Sequence, residues 1–181
     1  MDISKLLTRL KNNEQLAFKE LVYSYSSRFM TIARIYAQSE EDAKDTLQDA
    51  FVLVYRKIQN FEGDQEAAFY GWVKRIIINI SLSKNQRKYR HLESSLDSIN
   101  FDASFDEDTI SKMSHQEIMD IIFNLPDDYR QVFALHVIEG YSHKEIGEML
   151  NMTETNSRTH LHRSKKLLKE KINFSNKIVT A

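Results

Sequence analysis

The sequence predicts an all-α protein of two small helical domains joined by a flexible acidic linker, and three observations carry that prediction. Four glycines and one proline in 181 residues leave few of the turns that a sheet needs. Apolar residues recur at three- and four-residue steps through most of the chain, which is the period of a helix with one buried stripe. Between His91 and Lys112 that period lapses, and Glu93, Asp97, Asp102, Asp106, Glu107 and Asp108 stand against a single Lys112, the composition of an extended segment. The expected divisions are therefore 1–90, 91–112 and 113–181, and 181 residues with 41% apolar content suffice for two separate cores.

In the first domain, Phe18, Leu21, Val22, Tyr25, Phe29, Ile32, Ala33 and Tyr36 form the stripe of a core-facing helix. Ser39 is the expected N-cap of a second helix, with Glu40, Glu41 and Asp42 in its first turn, where the positive end of the dipole favours carboxylates. Its stripe is Ala43, Leu47, Ala50, Phe51, Val54 and Ile58. The polar stretch from Gln59 to Gln65 reads as a loop, and Phe69, Trp72, Val73, Ile76, Ile77 and Ile80 restart the period in a third helix, completing a small bundle. Ile118, Ile121, Ile122 and Leu125 open the second domain. Pro126 is expected at the first position of the next helix, which carries Tyr129, Val132, Phe133 and Val137 and ends at Gly140. Ser142 and Glu145 have the spacing of a capping box, opening a short helix with Ile146, Met149 and Leu150 inside. Asn151 suits a left-handed turn, and Thr153 suits the cap of a last helix running through Leu161, Leu168 and Ile172.

Several function classes are excluded. The absence of cysteine removes a disulfide framework, a thiolate metal site and a cysteine nucleophile, and it suits a reducing compartment. The start, Met1-Asp2-Ile3-Ser4-Lys5, has no apolar signal-peptide core, and the run Ile76-Ile77-Ile78 is far too short to span a bilayer. A soluble, cytoplasmic protein without membrane insertion is expected. There is no nucleophile motif, no phosphate-cradling glycine loop and no H-E-x-x-H among the six histidines. His160 and His162, two apart on a helix, point to different sides and do not readily share a metal. No catalytic residue, metal or cofactor is expected, and an enzyme is the last of the readings.

A net charge of -1 hides two basic patches. The last helix carries Arg158, Arg163, Lys165, Lys166, Lys169 and Lys171 with Glu170 as the one acid among them, a density that suits phosphate. Preceded by a short helix and a tight turn, it has the form of a helix-turn-helix, whose second helix enters the major groove. Gly147 in the first of these helices permits a close crossing. The second patch is Lys74, Arg75, Lys84, Arg87, Lys88 and Arg90, with no acid between Phe69 and Arg90. Beside it, Phe61, Phe69, Tyr70, Trp72 and Tyr89 are candidates for stacking on unpaired bases. Phe69 and Trp72 lie on the apolar stripe and are assigned to the core, whereas Phe61, in a polar loop, is the aromatic left for function. The helix after Ser39 has a second face, Asp45, Gln48, Asp49 and Val52 with Leu53, that suits docking of a protein partner.

These residues resemble a known family. The stretch Ala43-Lys44-Asp45-Thr46-Leu47-Gln48-Asp49-Ala50-Phe51 is similar to the A-E-D-L-V-Q-E-x-F signature of sigma factor region 2. Phe69-Tyr70-Gly71-Trp72-Val73-Lys74-Arg75-Ile76 with Asn79 resembles the F-x-x-W-L-x-x-I-x-x-N run that binds the minus-10 promoter element. Leu125-Pro126 with Tyr129-Arg130 and Val132-Phe133, and the segment from Glu145 to Lys165, resemble region 4. Three motifs in this order, with an acidic linker between and no room for other regions, identify the extracytoplasmic-function (ECF) type of bacterial sigma factor.

The resemblance implies roles. Asp45, Gln48, Asp49 and Val52 would dock on the clamp coiled coil of core RNA polymerase. Phe61, with Asn60 and Gln65, would capture a base flipped from the melted strand, Asn79 would read a base, and Lys74, Arg75, Lys84 and Arg87 would complete the minus-10 surface. Arg158, Thr159, His162, Arg163 and Lys166 would read the minus-35 element as duplex. The acidic linker would thread near the polymerase active site and RNA exit path. The expected partners are core polymerase, promoter DNA as duplex and melted single strand, and an anti-sigma factor, on a monomer. Ser157 departs from the family by replacing an apolar anchor, Asn151 by replacing the turn glycine, Ser83 by replacing aspartate, and His160 by standing where arginine is common. Ser157 brings a hydroxyl to a buried position, which costs stability without a partner. The alternatives are a helix-turn-helix regulator that binds duplex DNA independently of polymerase, and a non-transcribing helical adaptor.

Overall fold

The computed structural model of the chain describes residues 2–89 and 114–179, without the side chains of 86–89, 115 and 173–179. The linker expected at 91–112 and the side chain of Arg87 lie outside that description. The described residues form eight α-helices and no strand, and the chain divides into two compact units, Met1–Lys88 and Tyr89–Ala181.

The first unit opens with a helix that the apolar period did not reveal, α1 (Ile3–Lys11). Its N-cap is Asp2, whose Oδ1 accepts from the Lys5 N–H at 3.3 Å, and it buries Leu6, Leu7 and Leu10. Asn13, at φ 59°, takes the left-handed conformation that turns the chain, and the Glu14 N–H donates to the Arg9 carbonyl at 3.1 Å. Next, α2 (Gln15–Tyr36) buries Leu21, Tyr25, Phe29, Ile32, Ala33 and Tyr36 as its stripe requires. The Ser39 cap is realised, its Oγ accepting from the Asp42 N–H at 3.0 Å, and α3 (Glu40–Lys57) runs on into one 3-10 turn, Ile58–Asn60. The fourth helix, α4 (Glu66–Tyr89), buries Phe69, Val73, Ile77, Ile78 and Leu82. Within its basic stretch, Asn85 is also buried, and its Nδ2 donates to the Tyr36 carbonyl at 2.8 Å, tying α4 to the end of α2.

In the second unit, α5 (His115–Phe123) begins with a Ser114–Glu117 capping box. Pro126 lies one position earlier than expected: at φ -52° and ψ 144° it is the extended N-cap of α6 (Asp127–Phe133). Arg130 is buried beneath it. Its Nη1 donates to the carbonyls of Phe123 at 3.1 Å and Leu125 at 3.0 Å, and its Nη2 to Asp127 Oδ1 at 2.7 Å, so a guanidinium satisfies the last carbonyl of α5 and one in the connection that follows. The helix then widens into a π turn, Ala134–Ile138, which rotates Val137 out of the expected stripe to half exposure. Gly140, at φ +80°, completes the reversal, and the Tyr141 N–H donates to the Leu135 carbonyl at 3.0 Å. The Ser142–Glu145 box opens α7 (His143–Leu150), Asn151 ends it at φ 55°, and Thr153 Oγ1 accepts from the Asn156 N–H at 3.1 Å at the start of α8 (Glu154–Val179).

Candidate nucleic-acid and partner interfaces

The α7–turn–α8 segment places its residues as a helix-turn-helix requires. A methyl group on Gly147 would come within 2.8 Å of the Met152 carbonyl oxygen, so the close approach that glycine permits is to the backbone of the turn. On α8, Ser157, Leu161, Ser164 and Leu168 are buried at four-, three- and four-residue steps, while Arg158 and Lys166 are exposed and Thr159, His162 and Arg163 are half-buried. Arg158 is paired with Glu154 one turn back, and Arg163 Nη1 donates to the Tyr129 hydroxyl at 3.2 Å, so both guanidiniums are held at the surface before any ligand arrives.

His160 is turned away from that surface. Its ring meets Tyr129 edge-on at 5.1 Å, and its Nδ1 is buried without a hydrogen-bond partner among the described residues. Burial lowers its pKa below the usual histidine value, Arg163 adds to that, and Asp128 opposes it. A neutral His160 supplies packing in place of the cation that arginine would bring. Ser157 has the partner that a buried hydroxyl needs: it is 0% exposed, and its Oγ lies 2.9 Å from His143 Nδ1.

In the first unit the aromatic assignment is corrected. Phe61 is 8% exposed rather than free in its loop, packed at 4.9 Å against Trp72 and at 5.7 Å, edge-on, against Phe69. Trp72 is half-buried where full burial was expected, and Phe69 is core. The reason lies in the path of the loop. A methyl group on Gly63 would come within 2.6 Å of Phe61 Cζ, so the backbone at Gly63 lies directly on the ring and covers it. Asn60 and Gln65 are exposed at either end of that cover, and Arg75 and Asn79 are exposed along α4 one turn apart, with Lys74 half-buried. Tyr70 is engaged inside the unit, stacked on Phe29 at 5.3 Å and covered by the Arg28 guanidinium at 4.8 Å.

Asp45, Gln48, Asp49 and Val52 are all exposed on α3, Val52 at 45%, with Tyr55 beside them at 41%. The structure joins one residue of this face to the basic patch: Lys84 Nζ lies 2.7 Å from Asp49 Oδ2, between side chains 32% and 57% exposed. Such a pair contributes little to stability, yet it means that a partner engaging Asp49 also meets Lys84.

These features define a helical protein with a helix-turn-helix in one unit and, in the other, a basic helix beside an exposed acidic and apolar face. Residues 21–91 match the Sigma-70 region 2 family and residues 115–168 match Sigma-70 region 4. The chain is 28% identical over 179 residues to the ECF RNA polymerase sigma-E factor of Haemophilus influenzae, covering 92% of this chain and 93% of that protein. It is also 28% identical over 179 residues to the sigma-E factor of Escherichia coli strain K12, covering 92% of each. A solved structure of CnrH in complex with the cytosolic domain of CnrY aligns over 96% of this chain and 98% of its own, at 21% identity and a TM-score of 0.49. The chain belongs to the ECF subfamily of sigma-70 family sigma factors, and it directs transcription initiation with RNA polymerase. Members of this family are not enzymes. Among the described residues, no helix is long and apolar enough to cross a membrane.

Proposed function

We propose that this sigma factor divides its work among three surfaces: the exposed face of α3, the surface of α4 with its preceding loop, and the outer face of α8. Asp45, Gln48, Asp49 and Val52 dock on the clamp coiled coil of core polymerase. Asn60 and Gln65 at the loop, with Lys74, Arg75, Asn79, Lys84 and Arg87 along α4, grip the melted minus-10 strand, and Phe61 braces the loop from beneath. Arg158, Thr159, His162, Arg163 and Lys166 read the minus-35 duplex. The chain works from the cytoplasm, without catalysis of its own, through a 1–90 domain and a 113–181 domain that gain effective concentration on DNA once polymerase fixes their spacing.

The observation that carries this reading is the partition of α8, where Ser157, Leu161, Ser164 and Leu168 are buried while Arg158 and Lys166 stand exposed on the side expected to meet DNA. The acidic face of α3 adds a protein-docking surface that an autonomous regulator of duplex DNA does not need. Capture on core polymerase tests the assignment: Asp45→Lys is expected to abolish binding while circular dichroism and melting stay at wild-type values. Undiminished binding by Asp45→Lys would move the docking face elsewhere.

A further inference from the structure

The first buried position of α8 is held by a hydrogen bond where packing would be usual. Ser157 has no apolar knob to seat, and its Oγ, fully buried, meets His143 Nδ1 at 2.9 Å. His143, the first residue of α7, is itself clamped: its ring stacks on His136 at 4.3 Å and 14° between planes. The His136 Nδ1–H donates to the Tyr141 carbonyl at 2.8 Å, which fixes that ring's tautomer. The π turn, the start of α7 and the start of α8 are thus joined by two part-buried hydrogen bonds with a ring stack between them. Apolar packing tolerates small rotations, but a buried hydrogen bond is directional and costly to leave unmade.

We propose that His143 is a positioning residue for sequence recognition: through Ser157 it fixes the rotation of α8. This rests on the reading of the outer face of α8 as the minus-35 reader, because Arg158, the first cation of that face, follows Ser157 directly in the chain.

Protonation works against the arrangement from every side but one. Burial is the largest cause holding the His143 pKa below its usual value; His136 across the stack, and Arg158 and Lys165 on α8, add to it, while Glu154 on α8 opposes. A group whose folded pKa is depressed contributes fully above the unfolded value of about 6.5 and loses that contribution as pH falls through the lower folded value. Acid therefore disfavours the packing that holds His143 against Ser157, and with it the seating of α8.

The test uses the full chain bound to core RNA polymerase. The probe is the minus-35 duplex that this complex selects from a randomised library, compared with the same duplex scrambled. Between about pH 7.5 and about pH 5.5, a range that brackets the ordinary histidine value, wild type is expected to lose discrimination between the two duplexes progressively as pH falls. His143→Asn keeps a neutral hydrogen-bonding group near the place of Nδ1 and cannot titrate, so its discrimination is expected to fall clearly less than that of wild type over the same range, His162 on the reading face being common to both. Ser157→Ala removes one oxygen and is expected to discriminate poorly even at the higher pH while still melting cooperatively. The proposal is overturned by a pH profile shared between wild type and His143→Asn, by a flat wild-type profile, or by full discrimination in Ser157→Ala. Absence of discrimination by wild type at any pH would instead overturn the minus-35 reading, and the proposal with it.

Discussion

Two helical glycines are expected to respond with opposite sign to the same substitution. At Gly71, within α4, an added methyl group meets no atom within 4 Å, and the backbone is ordinary helix. Gly71→Ala therefore gains helix propensity at no steric cost, about 1 kcal/mol. At Gly147, within α7, the same methyl group lies 2.8 Å from the Met152 carbonyl oxygen, 3.6 Å from the Glu154 nitrogen and 3.7 Å from the Thr153 carbonyl carbon. All three are backbone atoms of the turn, which is also tied by the Met152 N–H to the Gly147 carbonyl at 3.0 Å, so relief requires the turn to move. Overpacking of this kind costs about 1–3 kcal/mol, which outweighs the propensity gain of about 1 kcal/mol and leaves a net loss of about 1 kcal/mol. Thermal unfolding followed by circular dichroism measures both, since 1 kcal/mol moves the melting temperature of a domain of this size by roughly 4–8 °C. A rise for Gly147→Ala equal to that for Gly71→Ala would refute the claim that the turn backbone sits on Gly147.

Other substitutions test neighbouring parts of the account. Asn151→Gly is expected to be nearly neutral and Asn151→Val to cost about 1–2 kcal/mol in urea unfolding, because position 151 is left-handed at φ 55°. Glu145 is held below its usual pKa first by the Ser142 hydroxyl and then by the Ser142 N–H, so its stabilisation is present above about pH 4.5 and is lost as pH falls through the lower folded value. Glu145→Gln should therefore lower stability at neutral pH and flatten its acid dependence, and an unchanged acid limb would speak against the capping box. Arg163→Ala is expected to lose about 1–3 kcal/mol of promoter affinity with relaxed preference at one base pair, read from a panel of single-base variants. Uniform weakening across that panel would make Arg163 a phosphate contact.

What the sequence disclosed and what it concealed divide along a physical line. Ser39, Ser142, Thr153 and Asn151 were legible because caps and left-handed turns are local, decided by one side chain and the backbone within a few residues of it. The helix α1 escaped because nine residues with three leucines give too few turns for a period to register. Burial of Phe61 depends on where the backbone of Gly63 passes, a matter of tertiary path that polar neighbours in sequence misrepresent. The bond between Ser157 and His143 spans 14 residues and a turn, and the Lys84–Asp49 pair joins two helices, so neither partner announces the other. Of the candidate site, the exposed face of α3 and the outward side of α8 were visible in the spacing; the half-buried state of Trp72 and the inward turn of His160 required the packing around them.

The central claim, that one chain reads two promoter elements while docked on polymerase, is tested most directly by run-off transcription. Core RNA polymerase with and without this chain is offered a library randomised across both elements. The account predicts starts that depend on the chain, downstream of two enriched sequence blocks at a fixed separation, with the upstream block lost on changing the outer face of α8. Starts that need only one block, or no chain-dependent starts at all, would contradict it.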